Sequence, residues 1–124
     1  MLLIIWLLII LIFSVIPVQG LQTGNPSDKV AHFIVYGITA LLFARFFKKG
    51  MSLMRATVLS ITFASIYGFL IELIQHALPW REFSLLDEAS NFSGAIVFSV
   101  IYAIREYNRK KPDLNVKSIS KKAD

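Results

Sequence analysis

Charged residues are unevenly distributed along this chain, which alternates long uncharged stretches with short charged ones. No Asp, Glu, Lys or Arg occurs in residues 1–27, 30–44, 56–71 and 89–104. A helix needs about 20 apolar residues to cross a hydrocarbon core about 30 Å thick, and the shorter stretches reach that length with their flanks. The pattern therefore predicts an all-α polytopic membrane protein with four transmembrane helices in a compact bundle.

The composition supports this prediction and limits the number of domains. The chain has 124 residues, 56% of them hydrophobic, and its mean hydropathy is +0.63, well above the even mixture of a soluble domain. We expect one four-helix transmembrane domain over residues 1–104, followed by a basic, disordered tail over residues 105–124. The chain contains no cysteine, which excludes disulfides and thiolate metal sites.

The first uncharged stretch has a second interpretation as a cleaved signal peptide. The small residues around Val18-Gln19-Gly20 weakly resemble a cleavage site. A signal peptide begins with a basic segment, however, and MLLIIW has no basic side chain. Trp6 is also typical of an anchor at the membrane interface. We therefore predict that this stretch is a retained first helix.

The basic residues predict the orientation in the membrane. Of 13 Lys and Arg, seven lie from Arg105 onward and four lie between the second and third stretches, namely Arg45, Lys48, Lys49 and Arg55. With four spans these two groups lie on one side, which the positive-inside rule makes cytoplasmic. Both termini are then cytoplasmic, and the loops near 19–29 and 79–88 face outward. The basic tail suits contact with anionic lipid, and no base-reading platform accompanies it that would indicate nucleic acid.

Polar residues occur at helical spacing at the outer end of three predicted helices. Residues three, four or seven apart share one face of a helix. The stripes comprise Asp28, His32 and Tyr36; Ser65, Gly68, Glu72, Gln75 and His76; and Asp87, Asn91 and Gly94. They predict an outward-facing polar pocket if the helices pack with these faces together. The other interpretation is that the stripes serve packing alone, with Gly68 and Gly94 allowing close approach.

Glu72 is the strongest candidate for a functional residue. It lies seven residues before Pro79, roughly 10 Å along a helix, at a depth where a charged side chain costs up to about 3 kcal/mol. It should therefore be paired, protonated or facing water, and Arg81 and His32 are its natural partners. The guanidinium of Arg81 suits either a carboxylate or a phosphate.

Several acidic residues also have a structural interpretation. Asn25-Pro26-Ser27 before Asp28 is typical of a helix start, and Ser84 precedes Asp87 at the spacing of a capping box. Either acid could therefore stabilise a helix N-terminus. The complete set of candidate site residues is Glu72, His32, Arg81, Asp87, Asn91, Gln75, Asp28 and Lys29.

Three segments resemble a known family of membrane proteins. DKVAHFIVYG at 28–37, GFLIELIQ at 68–75 and PWREFSLLDEASN at 79–91, followed by Gly94, are similar to the VanZ-like family, which is named for a protein associated with teicoplanin resistance. The resemblance covers about residues 28–104. It implies a small bacterial inner-membrane protein, in some members linked to low-level resistance against lipid-bearing glycopeptides, and it implies no particular reaction.

Three functions fit these expectations. The favoured one is a cell-envelope protein whose polar site binds a lipid head group, a cell-wall precursor or a lipoglycopeptide, and so contributes to glycopeptide or lipopeptide tolerance. The second is a membrane enzyme in which His32 and Glu72 share acid and base work while Asp87 orients His32. The third is a small proton-coupled exporter, which fits less well because its carboxylate should lie near the midplane.

The sequence favours binding over catalysis. It contains no nucleophile elbow, phosphate-binding loop or complete metal-ligand motif, and two histidines among scattered carboxylates are weak evidence for zinc. We therefore predict no metal and no other cofactor. The expected partner is a membrane lipid or a lipid-linked envelope component, or a lipoglycopeptide, and nucleic acid is not expected.

Overall fold

The residues that the structure describes fold into four α-helices. The computed structural model describes residues 1–16, 26–79 and 83–123, with side chains in the last helix described up to Lys110. The helices are α1 (Leu2–Val15), α2 (Pro26–Phe47), α3 (Leu53–His76) and α4 (Leu85–Ala123). Within the described residues all regular structure is helical, which confirms the predicted all-α class.

The helix ends follow from local sequence signals. Pro26 is the first residue of α2, where its missing N–H costs no hydrogen bond. The last turn of α3 closes when the N–H of Leu78 donates to the carbonyl of Gln75 at 2.9 Å, and Pro79 follows. At the start of α4, the hydroxyl of Ser84 accepts a hydrogen bond from the N–H of Asp87 at 3.2 Å. Ser84 therefore caps α4, as its spacing from Asp87 predicts.

Helix α2 packs most extensively on α4, and glycines make this approach possible. A Cβ atom on Gly94 would overlap the backbone carbonyl of Phe33. A Cβ on Gly37 would lie 2.5 Å from the ring of Phe98. The two helices therefore approach each other at backbone distance in a way that only glycine permits.

Helix α1 packs on α2 and α3. The indole N–H of Trp6 donates to the hydroxyl of Thr39 at 2.9 Å, and the hydroxyl of Tyr67 donates to the carbonyl of Leu7 at 2.6 Å. Trp6 thus contacts a neighbouring helix instead of serving only as an interfacial anchor. A half-buried indole N–H needs such a partner because its surroundings are apolar.

The bundle buries polar side chains and exposes apolar ones. Thr39, Ser60 and Ser99 are completely buried, and the hydroxyls of the two serines lie 3.0 Å apart between α3 and α4. Large apolar side chains are exposed on every helix, including Leu8, Ile34, Leu70 and Val100. Two helices, Pro26–Phe47 and Leu53–His76, are long and apolar enough to cross a membrane, by length and composition alone.

The other two predicted membrane spans, α1 and α4, are not confirmed by length and composition. Helix α1 is apolar but has only 14 residues, fewer than a full crossing needs. Helix α4 runs from Leu85 to Ala123, and the domain boundary near residue 104 with its basic tail stays a prediction. Arg, Glu and Lys favour a helix in this part of the chain, and Arg109 donates to Glu106 at 2.8 Å across one turn.

Candidate functional site

Six of the eight candidate side chains lie where α2 begins, α3 ends and α4 begins. Three of them are almost inaccessible, since Glu72 is 2% exposed, Asp87 is 3% exposed and Asn91 is 1% exposed. Asp28 and Gln75 are also buried, and His32 is partly buried. Lys29 lies at the edge of this group, and Arg81 lies outside the described residues.

An ion pair joins α2 to α4 at this end of the bundle. The Nζ atom of Lys29 lies 2.8 Å from Oδ1 of Asp87, whose side chain is almost fully buried while that of Lys29 is a quarter exposed. Asp87 therefore uses its carboxylate to bind a neighbouring helix. Its backbone N–H, not its side chain, takes part in the cap of α4.

Glu72 completes the cap of α4 from another helix. Its Oε1 atom accepts a hydrogen bond from the backbone N–H of Ser84 at 2.7 Å. In a capping box this N–H is normally bound by the third residue of the same helix, which here is Asp87. The carboxylate of Glu72 also lies at the positive end of the α4 dipole. The structure thus gives this buried glutamate a backbone partner that sequence reasoning missed.

His32 is oriented by Asn91. The amide nitrogen of Asn91 donates to Glu88 at 3.2 Å, so its oxygen faces Nδ1 of His32 at 2.9 Å. Nδ1 of His32 therefore carries the proton and donates to that oxygen, which leaves Nε2 of the neutral ring with a free lone pair. The orienting role that the enzyme hypothesis gave to Asp87 belongs to Asn91, because Asp87 is bound to Lys29.

The Nε2 atom of His32 faces Asp28. It lies 3.8 Å from Oδ1 of Asp28, which is one turn earlier on α2, and this distance is too long for a hydrogen bond. The ring stacks on Tyr36 one turn later, with the two centroids 6.2 Å apart. Asp28, His32 and Tyr36 thus form one continuous face, as their spacing predicts.

A cavity of about 290 Å³ lies beside this face, between α1, α2 and α3. Its apolar wall comes largely from α1 through Trp6, Ile9, Ile10 and Phe13. Its polar lining is formed by Ser14, Asp28, His32, Tyr36 and Gln75. The cavity is therefore amphiphilic, with one apolar side and one side rich in hydrogen-bonding groups.

Three buried polar atoms that belong to cavity-lining residues have no hydrogen-bond partner among the described residues. They are Oδ2 of Asp28, the hydroxyl of Tyr36 and Oε1 of Gln75. Gln75 uses its amide nitrogen to donate to the carbonyl of Ser14 on α1 at 3.2 Å. Buried polar groups are usually paired, so three unpaired atoms on residues that border one cavity distinguish this side of the cavity from its apolar wall.

Sequence reasoning missed two contributors to the site. Helix α1 has no polar stripe in the sequence, yet it forms one wall of the cavity. Glu88 holds the amide of Asn91, and its spacing of three residues from Asn91 was the available signal. His76 is exposed and contacts Phe83, so it does not join the site.

The described part of the site is rich in carboxylates. Asp28, Glu72, Asp87 and Glu88 belong to it, whereas Lys29 is its one permanently charged cation within the described residues. Arg81, the second cation that the sequence predicts here, lies outside those residues. The described groups therefore favour a ligand that brings positive charge or hydrogen-bond donors.

Comparison with known proteins gives one informative similarity. The chain is 33% identical over 87 residues to an uncharacterized protein of Schizosaccharomyces pombe. The aligned region covers 67% of this chain and 52% of the yeast protein. The chain thus spans about half the length of this relative. No protein-family model matches the chain, and no solved structure matches it. The resemblance to the VanZ-like family therefore stays a prediction.

Proposed function

We propose that this protein is a four-span membrane protein of the bacterial cell envelope that binds an amphiphile at the outer leaflet. The ligand is a lipid head group, a cell-wall precursor or a lipoglycopeptide, and the cavity between α1, α2 and α3 holds it. The observation that carries this proposal is the cavity itself, which combines an apolar wall with three unpaired buried polar atoms.

The distribution of side chains supports membrane insertion of all four helices. Buried polar residues and exposed large apolar residues are the reverse of a soluble bundle. In this proposal the short α1 is one of the four spans. Such an arrangement lets lipid tails solvate the outer surface while polar groups find partners between helices.

Basic residues at the opposite end of the bundle support the proposed orientation. A groove between the α2–α3 turn and α4 is lined by the cations Arg45, Lys48, Lys49, Arg105 and Arg109. Cytoplasmic surfaces of membrane proteins carry such clusters, which bind anionic lipid. Both termini are then cytoplasmic, and the site formed by Asp28, His32 and Gln75 lies at the outer end.

The shape and chemistry of the cavity fit an amphiphile. Ile10 and Ile71 are buried against the ring of Tyr36 and offer an apolar surface to an acyl or isoprenoid chain. Asp28 and Gln75 offer oxygen acceptors to an amine, hydroxyl or amide of a head group. Lipoglycopeptides also combine an acyl chain with amines, which links this proposal to the antibiotic tolerance that the VanZ-like resemblance implies.

A cavity-filling substitution tests this function. Ile10→Trp places a larger side chain in the cavity, whereas Leu8→Trp adds the same side chain at a position on α1 that is 52% exposed. In native mass spectrometry of protein extracted from its own membrane, we expect wild type and Leu8→Trp to retain a bound amphiphile. Ile10→Trp should retain several-fold less. An unliganded wild type, or equal occupancy in both variants, contradicts the proposal.

The same pair of variants tests the link to antibiotic tolerance. Bacteria that produce the protein should survive a higher teicoplanin concentration than cells with the empty vector. Leu8→Trp should preserve that gain and Ile10→Trp should remove it, at equal abundance in the membrane fraction. If both variants preserve the gain, antibiotic tolerance does not depend on the cavity.

A membrane enzyme is the second candidate, and the contact between His32 and Asn91 favours it. A histidine whose Nδ1 proton is held by an acceptor presents Nε2 as the nitrogen that can take up a proton, as a general base requires. Incubation of the purified protein with labelled phospholipids and polyprenyl phosphates tests this candidate. A product that forms with wild type but not with His32→Gln supports it, and absence of product removes it.

Nothing favours the exporter, because Glu72 is bound at the start of α4.

A further inference from the structure

We propose that Asp28, His32 and Asp87 form a binding site for a divalent transition-metal ion. One ligand atom from each residue lies within 4.8 Å of the corresponding atoms of the other two. Asp28 and His32 come from successive turns of α2, and Asp87 comes from the first turn of α4. This inference goes beyond the sequence, in which the histidine and carboxylates are too scattered to indicate a metal.

The distance between Asp28 and His32 is the first observation that points to an ion. Oδ1 of Asp28 and Nε2 of His32 are separated by 3.8 Å, which is too long for a hydrogen bond. Two ligands of a tetrahedral zinc ion lie roughly 3.4 Å apart, given metal–ligand distances of about 2.1 Å. The two atoms are therefore close to the separation that a shared ion requires.

The second observation is the unpaired oxygen of Asp28. This residue is 6% exposed, and its Oδ2 atom is buried without a hydrogen-bond partner among the described residues. A buried carboxylate is costly unless it is paired or coordinates a metal. Among the described residues its Oδ1 accepts no hydrogen bond either and has only the longer approach of His32. The carboxylate of Asp28 is thus positioned and available for a cation.

His32 is prepared for coordination by its neighbours. Asn91 accepts the Nδ1 proton, and Glu88 fixes the orientation of the Asn91 amide. Metal-binding histidines almost always donate their second ring N–H to an oxygen in this way, which fixes the tautomer. Nε2 therefore presents its lone pair on the side of Asp28, where the proposed ion lies.

Asp87 shares its carboxylate with Lys29. The ammonium of Lys29 lies 2.8 Å from Oδ1 of Asp87, so a metal ion and the ammonium compete for the same negative charge. Removal of the ammonium should then strengthen metal binding. This expectation is specific to the proposed site, because a substitution that merely disturbs the fold would weaken binding.

The ligand set indicates the class of metal. One imidazole and two carboxylates suit zinc and other first-row divalent ions, whereas magnesium and calcium prefer oxygen ligands throughout. Three protein ligands leave a coordination position open, as in catalytic rather than structural zinc sites. Asp28 and His32 also line the cavity, so the ion borders the space assigned to the amphiphile.

Isothermal titration with Zn²⁺ tests this site on full-length protein in detergent, without an affinity tag and after treatment with a chelator. We expect saturable binding of one ion per chain, with no comparable binding of Mg²⁺. His32→Gln and Asp28→Asn should weaken binding more than tenfold. His76→Gln changes the other histidine, which is exposed and outside the cluster, and should leave binding unchanged.

Two further variants separate coordination from loss of structure. Asn91→Ala removes the acceptor of the His32 proton and should weaken binding about 10- to 100-fold, and Lys29→Met should tighten it. Helix content and elution volume are compared for each variant. Absence of saturable Zn²⁺ binding in wild type, binding that survives His32→Gln, or unchanged affinity in Lys29→Met would each overturn the three-ligand site. None of these results depends on the bound amphiphile.

Discussion

Glu72 illustrates how a buried carboxylate uses a backbone partner outside its own helix. The cost of a carboxylate within an apolar helix predicts that Glu72 is paired, protonated or facing water, and Arg81 and His32 are the expected partners. In the structure the backbone N–H of Ser84 donates a hydrogen bond to Oε1 of Glu72 at 2.7 Å. This bond joins α3 to the start of α4. Glu72 therefore has a structural role in addition to any role in binding.

This role predicts that two substitutions at position 72 lower the stability of the protein by different amounts. Glu72→Ala leaves the N–H of Ser84 without its acceptor and should lower stability by about 1–3 kcal/mol. Glu72→Gln keeps an oxygen acceptor and should lower it less. Thermal unfolding in detergent, followed by circular dichroism, measures both effects.

Glu106 provides the matched control for this series. It forms a pair with Arg109, whose side chain is 76% exposed, and ion pairs open to solvent in this way contribute less than about 1 kcal/mol. Glu106→Ala should therefore leave the unfolding midpoint close to that of wild type. A midpoint for Glu72→Ala as high as that of Glu106→Ala would show that the contact with Ser84 contributes nothing to stability.

At the residue scale, the sequence spacing predicts which residues lie close together. It predicts their hydrogen-bond partners less well. Asp28, His32, Glu72 and Asn91 share faces at helical intervals, and the structure places them at one end of the bundle. Their partners depend on side-chain rotamers and on the backbone of a loop, neither of which leaves a periodic trace in the sequence. Asn91 as the partner of His32 is the main example.

At the scale of elements, the contact between α2 and α4 determines the geometry of the site. Asp28 and His32 lie on α2, whereas Asp87 and Asn91 lie on α4, so their distances depend on how closely these two helices pack. The backbone of Phe33 lies against Gly94 one turn from the His32–Asn91 contact. A larger side chain at position 94 would separate the two halves of the site.

Gly94→Ala tests this dependence. Because the added methyl group meets the backbone carbonyl of Phe33, neither side can adjust by a rotamer change, and we expect a loss of about 1–3 kcal/mol. Gly50→Ala is the control, since nothing lies within 4 Å of a Cβ at that position. Equal unfolding midpoints for the two variants would contradict the close packing of α2 on α4.

The sequence predicted this packing in part. Gly68 and Gly94 were expected to permit close approach, and both face another helix, with Gly68 against Asn91 and Tyr36. Gly37 was missed because its partner is the ring of Phe98, and a single sequence does not indicate which aromatic ring covers which glycine. Predictions from small residues thus indicate a close contact but not its partner.

At the scale of the whole molecule, the bundle has two chemically different ends. Carboxylates, His32 and the cavity lie at one end, and the cation-lined groove lies at the other. The uneven placement of Lys and Arg in the sequence predicts this polarity. The place of α1 could not be predicted, because a helix that is apolar on every face gives no signal for the side that it turns toward its neighbours.

The central claim is that the polar site lies at the outer end of a membrane-spanning bundle. The chain contains no cysteine, so single cysteines can be introduced at Ser27, beside the site, and at Lys49, in the turn at the opposite end; both positions are exposed. Intact cells are treated with a membrane-impermeant maleimide before and after permeabilisation. We predict that Ser27→Cys reacts in intact cells and that Lys49→Cys reacts only after permeabilisation. The reverse pattern, or reaction of both cysteines in intact cells, would contradict the claim.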